Sequence, residues 1–181
     1  MAGSQEISSS ALDRTVSGVG LIPGTLRDQL DGGVSLLVFL RHFGCMFCRE
    51  TLTDLRAAAE ADPGFPRVLF FFQGSATEGR AFLRRYWPRV RAVADPDQDF
   101  YEMFGVRRAG LVEALGPAVL IGARKRAKAK GHANGAPSGD VWRMPGVFAV
   151  RGDRIIWKYE PMHAADHPDF AGIPAQISRA L

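Results

Sequence analysis

Cys45 and Cys48 are the only cysteines among the 181 residues, and they form a single Cys-x-x-Cys. The attacking species in thiol chemistry is the thiolate. At the start of a helix, this spacing brings both sulfurs to one side of the first turn, close enough to bond. The pair can therefore cycle between dithiol and disulfide, supply half of a zinc site, or sit inert in a core. One short-range bridge staples almost nothing, which excludes a disulfide scaffold. His163 and His167 stand at i, i+4 and could complete a Cys2His2 set, yet 114 residues lie between Cys48 and His163. Structural zinc sites use compact spacing, so redox chemistry leads, no metal ligands are assigned and no cofactor is required.

The elements around the pair give it a place. Residues 34–41, VSLLVFLR, form a nearly continuous apolar run that suits a strand buried on both faces. Gly44 breaks that run, and a helix is predicted from Cys45 to Ala61. In it Cys48, Leu52, Leu55 and Ala59 share one face, and Asp62-Pro63-Gly64 ends it. A strand–helix junction of this kind places Cys45 at the outer lip, near the positive end of the helix dipole, and Cys48 deeper. That asymmetry favours Cys45 as attacker and Cys48 as resolver. Arg41 and Arg49 are near enough in sequence to lower a thiol pKa by charge, and His42 either tunes the thiolate or merely ends the strand.

Downstream, strands are expected at 68–73 and 90–94. Helices are expected at 77–86, with Thr77 as N-cap, and at 98–104, with Gly105 as C-cap. Strands at 146–150 and 154–159 flank Gly152-Asp153, a hairpin signal, and a last helix lies within 166–181. The order implies an α/β fold, a mixed sheet with a parallel start and an antiparallel hairpin, flanked by helices.

At this point the residues resemble a known group. LLVFLRHFGCMFCRE is similar to the strand–CxxC–helix signature of the thioredoxin-like superfamily. More closely, it resembles the peroxiredoxin-like AhpC/TSA-type antioxidant proteins, whose relatives include selenoproteins. AVADPDQDFYEMFGV, DVWRMPGVFAVRGDRIIWKYE and HAADHP are similar to later segments of that group, so the likeness runs over about 34–170. It implies a thioredoxin-like fold with peroxiredoxin-like insertions, a redox-active dithiol, and antioxidant or disulfide-exchange activity. It also implies that Pro145 is a cis-proline packed opposite the cysteines. The group's Pro-x-x-x-Thr-x-x-Cys motif, laid on this chain, puts Arg41 at the Pro, Cys45 at the Thr and Cys48 at the peroxidatic Cys. On that alignment Cys48 attacks, so the choice between the two cysteines stays open.

Hydrophobic residues make up 46% and charged residues 23%, an ordinary globular composition, and the length fits one domain over 1–181 with its core at about 34–170. The net charge of +4 is local. Residues 107–139 hold seven basic residues and one acid, leaving −2 for the rest. That stretch reads as an insertion: an apolar anchor at 111–121, then a basic, Gly-rich, solvated loop dispensable for redox chemistry. It lacks interleaved aromatics, so no nucleic-acid binding is assigned. No stretch is apolar for the roughly 20 residues that span a bilayer and no signal peptide is readable, so a cytoplasmic location is expected.

The expected function is a dithiol/disulfide cycle that reduces peroxides or disulfides. The partners are the peroxide or disulfide itself and an external thiol reductant such as thioredoxin or glutathione; a homodimer is compatible with this reading. The alternatives are a disulfide reductase without peroxidase activity, a lipid endoperoxide reductase (by resemblance alone), and a redox-inert thioredoxin-like binding module.

Overall fold

Continuous apolar runs in the two central strands decide the architecture. In the computed structural model, which describes residues 5–30, 32–110, 116, 124–136 and 138–180, β3 (Val34–Phe39) and β4 (Arg67–Phe72) lie side by side and parallel. Successive side chains of a strand point to opposite faces. Leu36, Val38, Phe70 and Phe72 thus enter one core, and Leu37, Phe39, Leu69 and Phe71 the other. Both faces are dry, which is why the sequence runs are apolar throughout rather than alternating.

The other described elements, in chain order, are β1 (Gln5–Glu6), α1 (Ser9–Leu12), β2 (Gly18–Val19) and α2 (Leu26–Gln29) before β3. Then come α3 (Met46–Ala61), α4 (Ala76–Leu83), β5 (Ala92–Ala94), α5 (Asp99–Met103), α6 (Arg124–Ala129), β6 (Gly146–Arg151), β7 (Arg154–Tyr159) and α7 (Ile173–Ala180). The sheet order is β1-β7-β6-β3-β4-β5-β2. β3, β4 and β5 are parallel; β6 runs antiparallel to β3, and β7 to β6. This is the mixed α/β sheet expected from the sequence. Among the described residues no helix is long and apolar enough to cross a membrane.

One core is closed by α3, α4 and α7 through residues such as Leu52, Leu55, Leu83, Ile173 and Ile177. The other is closed by the N-terminal segment and α5, through Leu12, Leu26, Phe100 and Tyr101. There Phe39 stacks on Phe71 with ring centroids 4.4 Å apart and meets the edge of Tyr101 at 5.0 Å.

Several sequence expectations need correction. Residues 5–30 belong to the core, since Ile7, Leu12, Val16, Val19 and Leu26 are buried and β1 and β2 pair with β7 and β5. Ser75, not Thr77, caps α4, in a reciprocal box with Glu78. α5 is capped by the Asp95 carboxylate, which accepts from the amides of Asp99, Phe100 and Tyr101. Gly152 does turn the hairpin, at φ 60°. The apolar anchor expected at 111–121 lies outside the described residues, apart from Gly116. The basic stretch after it is not a bare loop: 124–129 is helical, and Ala127 is fully buried against the α3 face.

Candidate redox site

β3 ends at Phe39, and residues 40–45 carry the chain over the sheet to the first turn of α3, where Cys45 is the N-cap residue. A tight turn joins the two, closed by the Cys45 amide donating to the His42 carbonyl at 3.0 Å. Both sulfurs are reduced and both residues are buried, Cys45 at 3% and Cys48 at 4% exposure. The expected outer lip is therefore absent, and accessibility does not separate the two.

Electrostatics does. The Cys48 thiol donates to the Cys45 sulfur, and this is the largest influence in bringing Cys45 down to about 6; Arg41 and the amides of Phe47 and Cys48 act in the same direction, against burial. Cys48 is driven the opposite way, because it holds the shared proton and is buried beside a neighbouring negative sulfur. One sulfur is set up to carry the charge and the other to keep the proton.

Arg41 is itself a buried residue. Its Nη1 lies 3.5 Å from Cys45 Sγ, while Nε donates to the Arg143 carbonyl at 3.0 Å and Nη2 to the Val141 carbonyl at 2.6 Å. Its own amide donates to Cys48 Sγ at 3.3 Å, so one residue touches both sulfurs. The other two residues flanking the motif do different work. Burial and the nearby Arg41 push His42 down to about 4, so at neutral pH its imidazole is uncharged and lends Cys45 no positive charge. Arg49 donates to the Ala133 carbonyl at 2.5 Å and lies over the Phe82 ring.

Pro145 lies beside the site, but the expected cis bond is absent: no peptide bond among the described residues is cis. Trans is the ordinary state of an X–Pro bond, and here the Met144 amide donates to the Arg107 carbonyl at 3.0 Å while Arg143 bridges Arg108 just before β6. Pro145 and Cys48 line one small cavity of about 20 Å³, closed on the far side by Ala164, Ala165 and His167.

The largest departure from the sequence expectation is what covers the motif. Residues 130–136 and Ser138, assigned to a solvated loop, lie across the CxxC turn. The Gly135 amide donates to the Gly44 carbonyl at 2.9 Å. Asn134 Oδ1 accepts from the Met46 amide at 3.2 Å, and Ser138 Oγ from the Phe43 amide at 3.1 Å. Gly44 is required here, since a Cβ would collide with the Ala136 carbonyl. Lys130 pairs with the buried Glu50 at 3.0 Å and with Asp54 at 2.5 Å.

Glu50, Asp54 and His167 bring ligand atoms within 4.8 Å of one another, the one such group among the described residues. It excludes both cysteines and already holds the Lys130 ammonium, so the Cys2His2 alternative does not form.

Three contributors were not visible in the sequence. Arg143 supplies the carbonyl that fixes Arg41, and is itself held by Gln98, Val106 and Glu102. Gln73 donates to the Arg41 and Asp140 carbonyls and accepts from the Asp140 amide at 2.6 Å, tying β4 to both sides of the site. Asn134 caps the helix that carries the cysteines. Of these, only Asn134 had a signal: an Asn-Gly pair suits a turn.

The sequence profile of the AhpC/TSA antioxidant enzyme family matches residues 51–162, more than half of the chain. The chain belongs to that family. The matched stretch begins three residues past Cys48, so the assignment rests on most of α3, on β4 and β5 and on the β6–β7 hairpin rather than on the cysteines. Among curated proteins no sequence matches.

Solved structures agree on the fold. A cysteine-to-serine variant of Xanthomonas campestris peroxiredoxin Q superposes with a TM-score of 0.61 at 15% identity, covering 97% of each chain. A secreted Mycobacterium tuberculosis disulfide oxidoreductase, homologous to E. coli DsbE, gives 0.57 at 14% over 95% of this chain and 99% of that one. A putative thiol:disulfide interchange protein DsbE from Chlorobium tepidum gives 0.57 at 17% over 94% of each. The architecture is thioredoxin-like, and the family is one of thiol-dependent redox proteins.

Proposed function

We propose that this AhpC/TSA-family chain reduces small peroxides through a Cys45–Cys48 dithiol/disulfide cycle, with Cys45 as the attacking thiolate and Cys48 as the resolving thiol. The observation that carries this reading is the division of one proton between the two sulfurs, with Cys45 brought to about 6 beside Arg41. At neutral pH Cys45 is then mostly thiolate, the nucleophilic form.

The Cys45 thiolate attacks the terminal oxygen of a hydroperoxide, forming an S–O bond as the O–O bond breaks. The sulfur is left as sulfenic acid, and the departing alkoxide or hydroxide takes up a proton. Arg41, anchored by two carbonyls, stabilises the negative charge that passes from sulfur to the departing oxygen. The Cys48 sulfur then attacks Cys45. The S–S bond forms, the S–O bond breaks, and the hydroxyl leaves as water with the Cys48 proton. An external dithiol such as thioredoxin, or glutathione, returns two electrons and reopens the disulfide. In this scheme Pro145 shapes the wall behind Cys48, while His42 and Arg49 support the turn and its covering segment rather than the reacting sulfur.

A second reading, disulfide reduction, is favoured by one feature: Cys45 stands where the group's peroxidase motif has Thr. Stopped-flow oxidation of the reduced protein by hydrogen peroxide and by a model disulfide separates the two. Peroxide is expected to oxidise the pair faster at equal concentration. Faster reaction with the disulfide would overturn the peroxidase assignment, and reaction with neither would leave a binding module.

A further inference from the structure

We infer that residues 130–136, with Ser138, act as a size-selecting cap on the dithiol, which lifts to let macromolecular thiols and disulfides reach Cys45. Three observations converge on this. Both cysteines are buried, and the segment bonded to the turn and first helical residue on either side of Cys45 has its own residues 133–136 exposed, so it lies over that junction as a thin cover. Its attachments are mostly polar and separable: three main-chain amides satisfied across the junction, from Gly135, Met46 and Phe43, the Arg49 guanidinium on the Ala133 carbonyl, the His132 ring against Thr53 and Tyr86, and one exposed ammonium, Lys130, on the two α3 carboxylates. Water replaces bonds of this kind without leaving apolar surface bare, so the cover opens locally while the sheet stays intact.

The ends of the segment are suited to the movement. Gly131, directly after Lys130, and Gly139, directly after Ser138, both sit at positive φ, 80° and 65°. On the N-terminal side Ala127 holds α6 in the core as a fixed base. On the C-terminal side Asp140 is fixed by Gln73. The segment is held by the polar contacts of Lys130, His132, Ala133 and Asn134 more than by apolar packing.

The chemistry of the covered surface fits this role. The cap contributes main-chain and amide groups to a helix N-terminus and its preceding turn, the surface that an incoming polypeptide would need to approach before its sulfur could reach Cys45. With the cap docked, reactants larger than a small molecule are held off. With it raised, the same amides at Phe43 and Met46 and the carbonyl of Gly44 are free to meet a partner's backbone. The inference takes from the proposed function only that the dithiol reacts. Its test uses alkylation, which needs no turnover, so failure of one does not imply failure of the other.

The test compares a small alkylating reagent, iodoacetamide, with a polyethylene-glycol maleimide on the reduced full chain and on Lys130→Ala/Asn134→Ala. The bulky reagent is expected to react about tenfold faster with the double variant, and iodoacetamide within about threefold of wild type, as local opening without global unfolding demands. An unchanged bulky rate, or an equal rise for both reagents, would overturn the proposal. Amide exchange of the unaltered protein gives an independent reading. Phe43, Met46 and Gly135 should exchange together and faster than the β3 amides; exchange as slow as β3 would make the segment a fixed wall and refute the cap.

Discussion

Arg41 touches Cys45 through its side chain, Nη1 to Sγ 3.5 Å, and Cys48 through its main chain, N to Sγ 3.3 Å. The guanidinium favours a negative Cys45. The amide cannot move without moving the strand end, so the charge and the geometry of the dithiol are set by a single residue. Its replacement should separate the two effects.

Arg41→Met is expected to raise the Cys45 midpoint, read from thiolate absorbance against pH, by roughly one to three units, the usual effect of losing an adjacent opposite charge. Cys48→Ala should raise it as well, because the donated thiol proton is the largest influence on Cys45. If Cys45 still ionises near 6 in both variants, the charge-sharing account is wrong.

Mild oxidation should take free thiols from two per chain to zero, without covalent dimers, and reductant should restore both. Thiol titration with non-reducing electrophoresis reads this directly. Persistent thiols would remove the dithiol cycle, and dimers alone would make the resolving step intermolecular.

Stability should rise with pH through two windows. His42 titrates at 6.5 in a free chain and about 4 when folded, so between these values the unfolded state binds more protons and stability climbs as pH increases. Cys45 does the same between about 6 folded and 9.0 free. Above that, the raised Cys48 reverses the sign, since the unfolded chain then loses a proton that the folded one keeps. Urea midpoints across pH test this; Cys45→Ser should flatten the slope between 6 and 9.

Tyr101→Phe should destabilise the fold by roughly 1–3 kcal/mol, the cost of leaving buried carbonyls without a partner. The phenol sits between the Leu40 and Phe71 carbonyls in a fully buried position. A denaturation midpoint shift with unchanged m-value checks it, and a shift near zero would mean that water takes its place.

The sequence was legible where apolar periodicity is long. The runs at 34–41 and 68–73 announced a doubly covered sheet, and the Cys-x-x-Cys announced the chemistry. β1 and β2 were invisible because two residues carry no periodicity; only pairing with β7 and β5 makes them strands. The cap was misread for a related reason. Gly, Asn and Ser look solvated, and here they are bonded to polar main-chain groups that only the fold brings near, from 88 residues away for Asn134 and Met46. The burial of Arg41 and Arg143 was not legible, since burial of arginine depends on carbonyls supplied by distant segments.

The two outermost positions of the seven-stranded sheet are held by strands of only two residues, Gln5–Glu6 and Gly18–Val19. Each is too short to template a further chain, and together they screen the ladders of β7 and β5 from self-association. Residues 5–30 therefore guard colloidal behaviour as well as filling the core. A chain cut back to the region that reads as redox-active would bare the outer edges of Arg154 and Ile155 and of Ala92 and Val93, lengthening the edge open to another strand.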